Sequence, residues 1–215
     1  MINSINQVKV PNSKQVRFVL GILGRSGYGK STLAREIISK IHRKIIIDPK
    51  HEYHGLIVER PERLIYHVKV SGFSRRMNIV YRPHNEIDFE VGLSVMQKVQ
   101  CYTLIAEEAD KICDPHQINP AFKQITAWGR HDAQSMIWIA RSPFEVNPRL
   151  REQADVIVSF RQDDLNAVRY MNSRGFDRDV STLDKFEYAT WGEVDVIKKL
   201  IGKAETGAKN TDKDP

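Results

Sequence analysis

The stretch that most restricts this chain is Gly24-Arg25-Ser26-Gly27-Tyr28-Gly29-Lys30-Ser31-Thr32, which fits the pattern Gly, any four residues, Gly-Lys-Ser without a mismatch. It follows the apolar run Val16 to Leu23 and precedes Leu33-Ala34-Arg35-Glu36-Ile37-Ile38, so strand, loop and helix stand in the order that a phosphate-binding P-loop requires. Gly24, Gly27 and Gly29 allow backbone conformations closed to larger residues, and successive N–H groups can then converge on a polyphosphate at a helix N-terminus. Lys30 is expected to reach the β- and γ-phosphates and Ser31 to offer its hydroxyl to Mg2+, so the cofactors implied are ATP and Mg2+.

At 215 residues, 41% of them hydrophobic, the chain is long enough for one sizeable core. We expect a polar arm over residues 1–15, one α/β domain over 16–202, and a small, polar, disordered tail over 203–215. The 33 Lys and Arg against 27 Asp and Glu leave a formal charge of +6, which suits a polyanionic partner. Cys101 and Cys113 are too few for a disulfide framework and are expected to be free thiols; with His116 they lack a fourth ligand at zinc spacing. No run of about eighteen apolar residues is present, and Met1 to Gln7 lacks the pattern of a signal peptide. A soluble cytosolic protein without a membrane span is the expectation.

Arg43-Lys44-Ile45-Ile46-Ile47, closed by Asp48-Pro49, reads as a second buried strand. Asp48, Lys50, Glu52 and Tyr53 then lie beyond its carboxyl end, where ligands bind in open α/β sheets. Leu64 to Val70 and Asn78 to Pro83 read as two strands, joined by an exposed loop whose Arg75 and Arg76 are candidate DNA contacts. Asp88 to Val99 reads as a helix with Val91, Val95, Met96 and Val99 on one face. Tyr102 to Ala106 reads as a strand ending in Glu107-Glu108. In P-loop ATPases an acid at such a tip holds the Mg2+ shell, and a following Glu polarises the water that attacks the γ-phosphate. We assign Glu107 to the first role and Glu108 to the second, with Asp110 in reserve. Residues 121–131 read as a helix, and Ser135 to Ala140 as a strand that delivers Arg141, a candidate sensor, to the same edge. Asn147-Pro148 opens a short helix before the strand Asp155 to Phe160, and another helix starts near Asp163-Asp164. Asp184 to Trp191 reads as a strand or hairpin, and Glu193 to Ile201 as a strand or helix.

These landmarks resemble the HerA/FtsK division of P-loop ATPases, and within it the compact genome-packaging ATPases of tailless, membrane-containing viruses. The likeness is carried by the P-loop, by Ile47-Asp48-Pro49-Lys50-His51-Glu52-Tyr53, by the acid-tipped strand, and by Gly129-Arg130-His131 with the later Trp138-Ile139-Ala140-Arg141-Ser142-Pro143. Arg141 stands where the family usually places a sensor Gln. The resemblance implies a three-layer, RecA/ASCE-like α/β fold with a central, mostly parallel sheet flanked by helices. It implies an ATP-hydrolysing translocase that packages viral double-stranded DNA into a preformed capsid, working as a pentameric or hexameric homo-oligomeric ring. The capsid or its packaging vertex is a further expected partner, and the expected location is the host cytoplasm or the virion vertex. Arg130 resembles the family's arginine ahead of the sensor strand and is the expected finger supplied to a neighbouring subunit. Two other readings stay open, a small nucleoside or nucleotide kinase and a slow nucleotide switch. The Glu107-Glu108 pair and the lack of a recognisable arginine-rich lid speak against the kinase.

Overall fold

The computed structural model describes residues 17–72, 74–113, 115–129 and 131–201. Its first half runs β1 (Val19–Leu23), α1 (Lys30–Ser39), β2 (Arg43–Ile47), β3 (Leu56–Val58), α2 (Pro61–Ser71), β4 (Met77–Tyr81) and α3 (Glu86–Met96). Then come β5 (Thr103–Ala106), α4 (Ala109–Ile112), α5 (Pro120–Trp128), β6 (Ser135–Ile139) and α6 (Pro148–Glu152). The chain continues with β7 (Val156–Ser159), α7 (Leu165–Arg174), β8 (Ala189–Gly192) and α8 (Val194–Ile201). The strands form one sheet in the order β3-β4-β2-β5-β6-β1-β7-β8, and every neighbouring pair is parallel except β7 with β8. The fold is the expected three-layer α/β arrangement of P-loop NTPases.

Helices cover both faces of the sheet, which is why its central strands read as unbroken apolar runs. Val19 and Leu23 of β1, Ile45 and Ile47 of β2, and Met136 and Trp138 of β6 pack on one face with Leu64, Val68, Leu93, Phe122 and Ile125. The intervening Leu20, Ile22, Ile46 and Ile137 pack on the other with Leu33, Ala34, Ile37 and Ile38 of α1 and Ile197 of α8. Burying Leu33, Ile37 and Ile38 contributes about 1.5–3 kcal/mol apiece, so the P-loop helix is fixed to the sheet by its own inner face. Two cations at the start of β2 are buried, and among the described residues neither forms an ion pair with a carboxylate. Lys44 Nζ instead donates to the Ile38 and Ile41 carbonyls at 2.8 and 2.9 Å, closing the C-terminal end of α1. Arg43 donates to the carbonyls of Cys101, Ser71 and Ser74, tying the ends of α2 and β5 together.

The stretch Leu64 to Val70, expected as a strand, is helical and lies inside α2. Its alternating apolar residues match a strand, yet Tyr66 and Val70 are 57% and 63% exposed while Leu64 and Val68, four apart, are buried. Pro61 at the first turn, with Glu62 beside it, supplies the helix start. The short edge strand β3 was not anticipated, and of Asp184 to Trp191 only Ala189 onward is strand. Residues 193–201 resolve to a helix from Val194.

Along the β7–β8 flank a ladder of rings and guanidinium groups joins the 3-10 turn Pro143–Glu145 to α6, α7 and β8. The Arg151 guanidinium lies 5.4 Å from the Phe144 ring centre and 5.0 Å from that of Tyr170. Arg174 lies 5.4 Å from Tyr170 and 4.8 Å from Trp191. Cys101 and Cys113 are free thiols, and no helix among the described residues is long and apolar enough to cross a membrane.

Candidate active site

Because β2, β5, β6 and β1 are parallel neighbours, their carboxyl ends open at one edge and bring the P-loop, the acids and Arg141 together. The loop is anchored on both sides by strand tips. Gly24 N–H donates to the Arg141 carbonyl at 3.0 Å, and Arg25 N–H to that of Arg161 at 2.9 Å. Gly24 has φ 135°, and a Cβ there would stand 2.5 Å from Phe160 Cβ, so a side chain is excluded by both conformation and space. Lys30 Nζ folds back onto the carbonyls of Gly24 and Arg25, with the second bond at 3.0 Å. Its pKa is pushed down to about 8 by burial, then by the neighbouring charges of Lys50 and Arg141, against a smaller opposing pull from Glu107 and Glu145. A polyanion entering the loop would relieve that repulsion.

The two acids at the tip of β5 have different surroundings. Glu107 is 5% exposed, and its Oε1 accepts the Tyr53 hydroxyl at 2.5 Å. Burial holds its carboxyl above the usual range, although the Tyr53 hydrogen bond pulls the other way. Glu108 stands in a left-handed conformation, φ 49° and ψ 55°, at the start of α4. Lys50 Nζ lies 2.7 Å from its Oε1 and Lys111 Nζ 2.5 Å from its Oε2. Burial raises its pKa, but the hydrogen bonds from Lys111 and Lys50 and their charges outweigh that, so it stays below the usual carboxylate range and ionised. The one acid is thus shielded and the other charged, which is the asymmetry that separate roles require.

Asp48 organises the segment that delivers Lys50 and Tyr53. It is fully buried, and its Oδ1 accepts the Glu52 N–H at 3.0 Å. Its Oδ2 accepts the Tyr53 N–H at 3.1 Å and two Arg82 donors at 3.1 and 2.9 Å. Arg82 also donates to the Tyr53 carbonyl at 3.0 Å, which closes the segment on itself. Removing one partner of such a pair leaves a buried charge uncompensated. Asp48→Ala is therefore expected to lower unfolding free energy by about 3–5 kcal/mol, read from urea denaturation. A change within about 0.5 kcal/mol, the size of an ordinary surface substitution, would contradict the anchoring role.

The cleft has a volume of about 260 Å3, and Ser31, Thr32, Lys30, Lys50, Glu107, Glu108, Asp110, Arg141 and Phe186 line it together with the loop glycines Gly27 and Gly29 and with Ser26. The cleft thus brings together Ser26 to Thr32 of the P-loop, save Tyr28, with the expected acids Glu107, Glu108 and Asp110 and the expected sensor Arg141, whereas Arg130 lies outside the described residues. Tyr28 and Arg25 stand on the rim, with the Arg25 guanidinium 5.8 Å from the Tyr28 ring centre and its Nη1 2.5 Å from Asp163 Oδ2. Arg75 and Arg76 are exposed, but they precede β4 and so lie at the opposite edge of the sheet, away from the cleft. Sequence reasoning missed Lys111 and Phe186. Lys111 is three residues past Glu108 on a helix too short to show periodicity; Phe186 lies far along the chain in a loop and carries no local motif.

Sheet order, P-loop and paired acids define the class, a P-loop NTPase. Residues 6–109, just under half of the chain, match the family DUF87, described as Helicase HerA, central domain. Over those residues the chain is similar to ATPases of the HerA type. In fold it is similar to the genome packaging NTPase B204 from Sulfolobus turreted icosahedral virus 2 in complex with AMP. That comparison gives a TM-score of 0.64 and 19% identity over 82% of this chain and 92% of that one. The same protein with ATP-gammaS gives 0.62 and 20% over 81% and 92%. B204 described as the DNA-packaging ATPase from Sulfolobus turreted icosahedral virus gives 0.59 and 19% over 81% and 92%. No curated protein is a significant sequence match.

Proposed function

We propose that this ATPase is a viral packaging motor that hydrolyses ATP to move double-stranded DNA into a preformed capsid. The observation that carries the hydrolytic reading is the position of the Glu108 carboxylate at the wall of the P-loop cleft, next to Lys50 and Lys111. Its Oε1 accepts a proton from water once Lys50 turns from it towards a triphosphate, while Lys111 keeps hold of Oε2. Lys30 exchanges the carbonyls of Gly24 and Arg25 for the β- and γ-phosphates, and Arg141 senses the γ-phosphate from the tip of β6. The hard oxygen donors Ser31 and Glu107, on one cleft, fit Mg2+, which takes few protein ligands and completes its shell with phosphate and water. When bound it supplies charge neutralisation across the β- and γ-phosphates.

The packaging role is supported by the fold shared with proteins described as a genome packaging NTPase and a DNA-packaging ATPase, over 92% of those chains. In this reading the subunits form a pentameric or hexameric ring around double-stranded DNA, dock on the capsid or its packaging vertex, and act in the host cytoplasm or at the virion vertex. Arg130 is the proposed finger for the neighbouring site, and Arg75 and Arg76 are proposed DNA contacts from the far edge of the sheet.

Steady-state phosphate release with and without linear double-stranded DNA is the test. Stimulation of several-fold, lost as salt rises, is the expected result, because phosphate contacts release counterions. Hydrolysis indifferent to DNA would remove the motor assignment. Transfer of the γ-phosphate to an added nucleoside or nucleoside monophosphate would turn the assignment to a kinase, and binding without turnover to a nucleotide switch.

A further inference from the structure

We propose that Phe186 is the platform on which the nucleobase of the bound nucleotide stacks, giving the site a preference for purines with little discrimination between adenine and guanine. The proposal rests on the nucleotide reading of the cleft and adds to it the recognition of the base. Phe186 belongs to the segment between α7 and β8, yet it lines the same cleft as Ser31 and Thr32. Its ring is an exception to ordinary burial, with 65% of the residue exposed. The backbone there is left-handed, φ 68°, a conformation that is an outlier for a bulky residue and persists where surrounding contacts hold it. One such contact is the hydrogen bond from Phe186 N–H to the Tyr28 carbonyl at 2.9 Å, which attaches this distant segment to the P-loop itself.

The fit around the ring is close. A Cβ at Gly29 would stand 2.9 Å from Phe186 Cδ1 and 3.0 Å from Phe160 Cε1, so the glycine makes room for the ring beside the phosphate loop. Neighbouring aromatics already have partners: Arg25 lies over Tyr28, and Phe160 packs on Tyr188 with ring centres 5.8 Å apart. Among the described residues no cation or aromatic ring is stacked on Phe186. An open phenyl face within the reach of a nucleotide held by its phosphates matches a flat, apolar-faced group, which in a nucleotide is the base. A phenyl ring has no hydrogen-bonding atoms, so it reads stacking area and not the edge of the base. Purines, with two fused rings, offer more area than pyrimidines.

The experiment is titration calorimetry of the full chain with the Mg2+ complexes of ATP, GTP, CTP and inorganic tripolyphosphate, on the wild type, Phe186→Ala and Phe186→Trp. In the wild type, ATP and GTP are expected to bind with similar affinity and more tightly than CTP. Phe186→Ala is expected to weaken ATP and GTP by about 5- to 100-fold, to weaken CTP less, and to leave tripolyphosphate unchanged. Phe186→Trp is expected to keep ATP affinity near the wild-type value, with its added indole fluorescence quenched by ATP and GTP but not by tripolyphosphate. The proposal is overturned if Phe186→Ala binds ATP as the wild type does. It is equally overturned if tripolyphosphate weakens in step with ATP, which would make the ring a support of the loop. A wild type that binds neither ATP nor tripolyphosphate would withdraw the nucleotide reading of the cleft itself, an outcome distinct from both.

Discussion

Replacing Lys30 by alanine is expected to lower kcat/KM for ATP by on the order of 1,000-fold, because it removes the P-loop cation aimed at the charge that develops on the transferring phosphoryl group. Lys50 and Arg141 line the same cleft, but they enter it from the tips of β2 and β6 and not from within the phosphate loop. Among the described residues the side chain bonds only to the carbonyls of its own loop, so the fold is expected to survive, with a melting temperature within a few degrees of the wild type. Turnover at the wild-type rate would remove the site assignment. The lowered pKa adds a second readout. Below about pH 8 the free protein already carries the proton on Lys30, and binding a triphosphate takes up none. Above that value the nucleotide must draw a proton in, so apparent affinity falls by up to about tenfold per pH unit towards the ordinary lysine value. Calorimetry at about pH 9 in buffers of different ionisation enthalpy detects that uptake, and Lys30→Arg, whose side chain stays charged, abolishes it. For folding the sign runs the other way to a paired lysine. The unfolded chain binds the proton more readily, so stability on this account rises as pH climbs from about 8 through 10.5.

Glu108→Gln is expected to leave ATP bound and cut turnover by about 100- to 10,000-fold, the range that loss of a positioned general base brings. The substitution keeps the shape of the side chain and removes the charge that holds Lys50 and Lys111. Lys50 is then free to face the triphosphate, and ATP affinity is expected to stay at least as high as in the wild type. Glu107→Gln should behave differently. It lines the cleft with its Oε1 held by Tyr53, and in the proposed role it serves the Mg2+ shell, so its loss is read as a weakened Mg2+ dependence of ATP binding. Nucleotide titrations at several Mg2+ concentrations, run beside single-turnover hydrolysis, separate the two. Loss of the chemical step from Glu107→Gln with none from Glu108→Gln would exchange the roles.

Legibility in the sequence followed the range of the interactions involved. The P-loop was readable because glycine positions, lysine and hydroxyl lie within nine consecutive residues and act through local backbone geometry. The central strands β1, β2, β5, β6 and β7 were readable because burial on both faces writes an unbroken apolar run. The helix α2 was not, since a partly exposed helix on an outer part of the sheet can keep apolar residues on its solvent side, and Leu64 to Val70 then alternates like a strand. The acids were found as a pair, but what distinguishes them comes from elsewhere: Tyr53 and Lys50 arrive through the turn that Asp48 and Arg82 fix. That contact joins positions 34 residues apart and has no local signature. The aromatic wall of the cleft was the least readable part, because Phe186 is brought to Tyr28 only when β8 adds to the sheet edge.

The ladder of arginines and rings on the β7–β8 flank and the Arg25–Asp163 ion pair hold neighbouring parts of the molecule by different forces, and dissolved salt separates them. Arg25 and Asp163 have side chains 57% and 45% exposed, so mobile ions screen their attraction over a Debye length of about 8–10 Å in ordinary buffers. Arg151 is buried against the touching rings of Phe144 and Tyr170, where close packing and the ring quadrupoles act at a range that counter-ions do not enter. Raising ionic strength therefore loosens the clasp between the phosphate loop and the end of β7 while the ladder stays closed. The nucleotide mouth can soften in brine without the scaffold following it.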